Sequence, residues 1–166
     1  EFHARAELVR LQRQRQERHS LLEFSRAVAE PLDLQTTALA IVNEGRRLLD
    51  CDRLSLLVAR GSRLRLEAVS GVDRVERRGQ AARHLNMIAR EALKLAEPIY
   101  YVDGQIDALP QVADAAHRYV DHSHARVLAV VPMELGREEE GRRIVGVLVA
   151  EEFTGTDHFA TSLVAE

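Results

Sequence analysis

Lysine and cysteine are almost missing from this sequence: Lys94 and Cys51 are the only examples among 166 residues. A lone cysteine excludes an internal disulfide and a cysteine-rich metal site, and fits a reducing, cytoplasmic setting. Arginine carries nearly all the positive charge, a bias that genome composition explains as well as any anion-binding role. No apolar run approaches the roughly 20 residues needed to cross a bilayer, and no signal peptide opens the chain. Gly-rich phosphate loops and a GxSxG elbow are absent, and Cys51 has no histidine near it in sequence. Catalysis is therefore not expected. A net charge of −3 is a small balance of many acids and bases, so neither nucleic-acid binding nor contact with a membrane is expected. The chain starts on glutamate rather than methionine, and is read as a segment of a longer protein.

What is present suits a globular domain, with 46% apolar and 30% charged residues. Residues 1 to about 30 lack Gly and Pro and predict one long helix that ends before Pro31. Leu8, Leu11, Leu22 and Ser25 follow a heptad track that Arg15 and Arg18 interrupt. The first part is either a solvated linker or a coiled-coil stalk pairing two copies. Asp33 offers an N-cap to a second helix whose stripe is Leu34, Ala38, Ile41, Val42, Gly45, Leu48 and Leu49. "CDRLSLLVAR" and "RLRLEAV" predict a hairpin closed by "GS". In its second strand Leu64, Leu66 and Ala68 should point inward, with Arg63, Arg65 and Glu67 outward. A charged loop over residues 71–80, a helix near 81–95, the short strand "PIYYV", and a helix carrying Val112, Ala115, Ala116 and Tyr119 come next.

The end of the chain is the most informative. "VLAVVPMELGREEEGRRIVGVLVAEEF" holds two apolar runs that do not alternate with polar residues. Strands of this kind belong in the interior of a sheet covered on both faces. A closing helix is predicted from Thr156 or Asp157. Strands and helices do not alternate regularly, so the fold class expected is α+β. It has a central antiparallel sheet of about five or six strands, helices on both faces, and a long N-terminal helix in front.

This succession resembles the GAF domain family. "LLEFSRAVAEPLDLQTTALAIVNEGRRLLDCDRLSLLVAR" is similar to the family's opening helices and first strand. "EPIYYVD" resembles the strand after its middle helix, and the C-terminal hairpin resembles its closing pair, with a Pro ending one apolar strand and "VGVL" in the other. The resemblance divides the chain into residues 1–20, linker or stalk, and residues 21–166, a GAF-like domain. It implies a PAS-like sensory or regulatory module of a larger protein. Such a module binds an unidentified small molecule between sheet and covering helix and signals through terminal helices, in a homodimer and to neighbouring domains. The alternative is a ligand-free dimerisation scaffold. The bilin-type Cys position and the cyclic-nucleotide Asn-Lys pair of the family are missing, and the cysteines of its methionine-sulfoxide reductases are missing too. No cofactor is expected.

For the ligand the expectation is a pocket walled by Leu56, Val58, Leu85, Ile88, Ala92, Tyr101, Asp103, Tyr119 and Val130, of about 300 Å3 or more. Of the adjacent tyrosines, one should face the core and Tyr101 is assigned that place. Met87 and Tyr101 are the side chains able to fill such a pocket. "HRYVDHSHAR" gathers His117, Asp121, His122 and His124, the last two sharing a face if they lie on a strand. They are read as capping and surface groups, with a metal or haem site as the sharper alternative. Arg74, Arg77, Arg78 and Arg83 are read as a solvated loop rather than an anion funnel.

Overall fold

The computed structural model describes residues 2–29, 33–61, 63–135 and 143–154. Nine elements follow in order: α1 (Phe2–Ala29), α2 (Leu34–Leu49), β1 (Arg53–Arg60), β2 (Arg63–Val69), α3 (Gln80–Leu95), β3 (Ile99–Val102), α4 (Pro110–Ser123), β4 (Val127–Leu135) and β5 (Arg143–Glu152). The helix expected from Thr156 or Asp157 and most of the "GREEEGRR" connection lie outside the described residues.

The strands form one antiparallel sheet in the order β2-β1-β5-β4-β3. The two apolar C-terminal strands are thus interior neighbours, and β5 is the middle strand. Their burial follows from this: side chains of one parity face α3 and α4, those of the other face α2. Leu57, Leu128, Val130, Val147 and Val149 make the first layer with Leu85, Ile88, Ala92, Val112, Ala116 and Tyr119 of the helices. Leu54, Leu56, Ala129 and Ala150 make the second with Ala38 and Val42 of α2.

Local signals set the helix ends. Asp33 caps α2 by accepting from the Thr36 amide at 2.9 Å, and its hydrogen bonds with Thr36 hold its carboxyl below the usual range. Only the middle of the α2 stripe is covered: Ala38, Val42 and Gly45 are buried, whereas Leu34 and Leu49 are exposed at the two ends. Helix α1 lies against α2 with Phe24 half-buried over Gly45. Leu21 and Leu22 on its other sides are 52% and 62% exposed.

The β1–β2 pairing corrects the inward–outward assignment of β2. Leu57 pairs with Leu66 but Leu56 pairs with Ala68, so Glu67 is an extra residue in β2, a bulge. The bulge reverses the alternation beyond it. Leu64 and Leu66 face α3, Ala68 faces α2, and Glu67 is buried instead of pointing into solvent. Gly61, at φ 61°, supplies the positive φ that the hairpin turn requires.

Candidate functional site

The pleat puts Arg53, Ser55 and Leu57 of β1 on the α3/α4 side, level with Glu151, Val149 and Val147 of β5. Arg53 and Glu151 are therefore cross-strand partners on one face. The guanidinium meets the carboxylate in a two-pronged pair, Nε to Oε2 at 2.6 Å and Nη2 to Oε1 at 2.7 Å. From α4 the Tyr119 hydroxyl donates to Oε1 of Glu151 at 2.8 Å and accepts a longer bond from Arg53 Nη2 at 3.4 Å. The Glu151 side chain is 0% exposed, that of Arg53 35%. Arg53 also lies over the Phe153 ring, 4.8 Å from its centroid, in cation–π geometry.

These contacts fix the charge states. Hydrogen bonding to Glu151 raises the Arg53 pKa, so the guanidinium stays protonated. Burial, then the neighbouring Glu151 charge, pushes the Tyr119 phenol far up, so it stays a neutral donor. One cation and one anion cancel in the wall, and a polar hydroxyl stands beside them.

Above this wall is a cavity of about 180 Å3, partly open to solvent. The sheet supplies Arg53, Ser55, Leu66 and Val69. The 71–79 loop supplies Val72, Val75 and Glu76, the start of α3 Ala81, Ala82 and Leu85, and α4 Tyr119. Its lining is mainly aliphatic with a few convergent polar groups, the character of a small-molecule site. Its volume is below the 300 Å3 expected.

The expected pocket residues scatter. Leu85 and Tyr119 line the cavity. Ile88, Ala92, Tyr101 and Val130 belong to the same packed layer but do not reach it. Leu56 and Val58 are corrected to the opposite face, against α2, because they are one residue out of phase with Leu57. Asp103 sits on the surface, in a two-pronged pair with Arg126 at 2.9 and 3.1 Å that ties the end of β3 to the start of β4. Tyr101 is 7% exposed and fills the β3 end of the sheet, edge-on to the His117 ring at 5.8 Å, while Tyr100 faces outward. Met87 is exposed and fills nothing. The opening thus lies at the β1–β2 end, since the β3 end is occupied. Sequence reasoning missed Arg53, Ser55, Glu76 and Glu151. The available signals were "RLSL", polar at alternate positions of an otherwise apolar strand, and "AEEF", carboxylates finishing a central one.

The histidines do not gather. His122 closes α4 and meets His84 of α3 edge-on at 5.3 Å, and His124 is the left-handed residue after α4, its amide bonded to Val120 O at 2.7 Å. They are not strand neighbours, because β4 begins only at Val127. Among the described residues no three His, Cys, Asp or Glu side chains come together as a metal site. Cys51 is buried, and burial pushes its thiol up to about 11. A thiol held protonated is a poor nucleophile. No described helix is long and apolar enough to cross a membrane.

The sequence profile described as GAF domain matches residues 33–164. No curated protein matches the sequence. Among solved structures, the chain is similar to the GAF domain of an Acinetobacter phosphoenolpyruvate-protein phosphotransferase. That pair has 15% identity and a TM-score of 0.57, over 90% of this chain and 89% of the other. The A. aeolicus nlh2 GAF domain in an inactive state is similar at 12% identity and TM-score 0.58, over 90% and 87%. The free methionine-R-sulfoxide reductase of Neisseria meningitidis, solved in complex with its substrate, is similar at 19% and 0.53, over 90% and 83%. At these identities the likeness is one of fold.

Proposed function

The chain belongs to the GAF domain family, and from that premise we propose that it is a non-catalytic sensory module of a larger protein, binding a small molecule in the cavity between β1–β2, α3 and the 71–79 loop. The observation that carries this reading is the cavity's polar wall. Arg53 touches the cavity, Glu151 and Phe153, so a ligand at the guanidinium would act on the residues where β5 ends. A ligand can shift the terminal segments only through different affinity for their two arrangements, and Arg53 is where that difference would arise. Size limits the ligand: an apolar cavity of about 150 Å3 accepts a benzene-sized guest, and 180 Å3 is little larger. A single ring or a short branched chain with one or two polar groups fits the opening; a bilin or haem does not.

A second reading, a dimerising scaffold without ligand, is favoured by α1. Leu21 and Leu22 point away from α2, and residues 12–19 are exposed along the helix. The polar stretch suits a solvated connection between domains, and the exposed Leu21 and Leu22 are the apolar surface that a second copy would cover. Homodimerisation through α1 and residence in a reducing, cytoplasmic compartment are part of the same proposal.

Thermal shift against a panel of amino acids and small aromatic or branched compounds tests the sensor reading, with nucleotides and haem included as molecules too large for the cavity. A compound that stabilises the chain should lose its effect in Ala82→Leu, where an isobutyl side chain in place of methyl occupies the cavity, while the unliganded variant melts no lower. If no compound shifts the melting temperature, or the shift survives Ala82→Leu, the scaffold reading replaces it.

A further inference from the structure

The bulge in β2 builds a second charged constellation, on the far side of that strand from the cavity. Glu67 is buried, with 6% of its side chain exposed, and three guanidiniums converge on it. Arg60 Nη2 and Arg65 Nε approach Oε1 at 3.3 Å each, and Arg77 Nη2 approaches Oε2 at 3.4 Å. Arg77 is anchored there by a shorter bond from Nε to the Leu66 carbonyl, 2.8 Å. All three arginine side chains remain between 41% and 53% exposed.

Three cations around one anion leave two positive charges uncompensated. Arg63 adds a fourth cation, for it pairs directly with Arg60 across the hairpin. Like charges directly opposite one another destabilise a sheet. A single charge is enough to guard an edge strand against unwanted pairing, so edge protection does not explain this crowding. Among the described residues the contacts of these arginines to Glu67 and the Leu66 carbonyl run through Nε and Nη2.

We propose that the Arg60–Arg65–Arg77 cluster is an anion site for a phosphoryl group, borne by a small soluble molecule and separate from the cavity. A phosphoryl dianion matches the surplus of two charges, and its three terminal oxygens suit guanidinium forks better than a monocarboxylate would. Glu67 serves as the template that holds the arginines together when the anion is absent. Arg77 belongs to the loop that walls the cavity, so the two sites share one segment.

The probe is inorganic pyrophosphate, titrated into the whole chain at constant ionic strength and followed by calorimetry and by amide and guanidinium NMR shifts. Saturable binding is expected, with shifts at Arg60, Arg65 and Arg77, and with acetate much weaker. Arg65→Gln, at an exposed residue whose side chain pairs with Glu67, should weaken binding roughly tenfold. Arg90→Gln on α3 is the control for non-specific charge and should leave affinity unchanged. Ala82→Leu, which fills the cavity, should also leave it unchanged. Absence of saturation, equal weakening by Arg65→Gln and Arg90→Gln, or loss in Ala82→Leu would each overturn the proposal. The first two leave the cavity reading intact; the last relocates the anion to the cavity.

Discussion

Arg53 and Glu151, 98 residues apart in sequence, meet side by side on adjacent strands with two hydrogen bonds of 2.6 and 2.7 Å. Glu151 has no exposure to solvent, and its carboxylate takes its hydrogen bonds from this partner and from Tyr119. Replacing Arg53 by Met keeps the stem and strips the charge, leaving a buried carboxylate with one hydroxyl donor. Removal of one partner from a buried pair costs about 3 kcal/mol. The double variant Arg53→Met/Glu151→Gln should recover much of that loss. Urea unfolding of both variants checks the order; a double variant no more stable than Arg53→Met would show that the stranded carboxylate is not the source of the loss.

Asp52 ties β5's exit to the start of β1. Its Oδ2 accepts from the amides of Phe153 at 2.7 Å and Thr154 at 3.2 Å, and from the Thr154 hydroxyl. The Phe153 amide bond, more than any other cause, holds the carboxyl below its ordinary 3.8. A depressed folded pKa contributes stability that is complete above the unfolded value and fades as pH falls through the folded one. Stability should therefore drop below about pH 4 more steeply in the native chain than in Asp52→Asn. Melting curves from pH 6 to 2 read the difference.

Cys51 gives the opposite dependence. Its thiol rises from 9.0 to about 11 on burial, so the stability it contributes is complete below 9.0 and is lost as pH rises towards 11. In the folded chain at pH 8 a disulfide reagent should label Cys51 far more slowly than in urea. Cys51→Ala should flatten the alkaline part of the stability profile. Rapid labelling of the native protein would mean that the thiol is not buried as described.

Two glycines should respond differently to alanine. A Cβ on Gly146, in the middle strand, would press on the Leu57 carbonyl oxygen and stand 3.4 Å from Val58 Cα, both backbone atoms that cannot rotate away. The Gly146→Ala change should cost about 3 kcal/mol. At Gly45 the obstruction is the end of the Leu54 side chain, 2.7 Å from the new Cβ. Leu54 is buried and moves with strain, but alanine gains about 1 kcal/mol of helix propensity. The Gly45→Ala change should cost clearly less. Paired unfolding curves decide the ranking.

Deletion of residues 1–20 tests α1 as a dimerisation stalk. Light scattering should give the mass of two chains with these residues and of one without them, while the melting of the remaining domain changes little. An unchanged mass would remove the stalk from the proposed function.

The type and order of the elements, and the interior position of β4 and β5, could be read from the chain itself. These are consequences of local periodicity: a strand apolar on both faces must be covered twice, and that requirement travels with the residues. Of the residues expected around a pocket, Leu85 and Tyr119 line the cavity, Leu56 and Val58 lie on the opposite face because the phase of β1 was not readable, and Asp103 is bound up in a surface pair. The bulge at Glu67, the Tyr101 plug at one end of the sheet, the opening at the other, and the union of Arg53 with Glu151 were decided by tertiary structure. Each depends on which side chains from distant parts of the chain compete for one volume or one charge. Nearest-neighbour pattern carries no record of that competition.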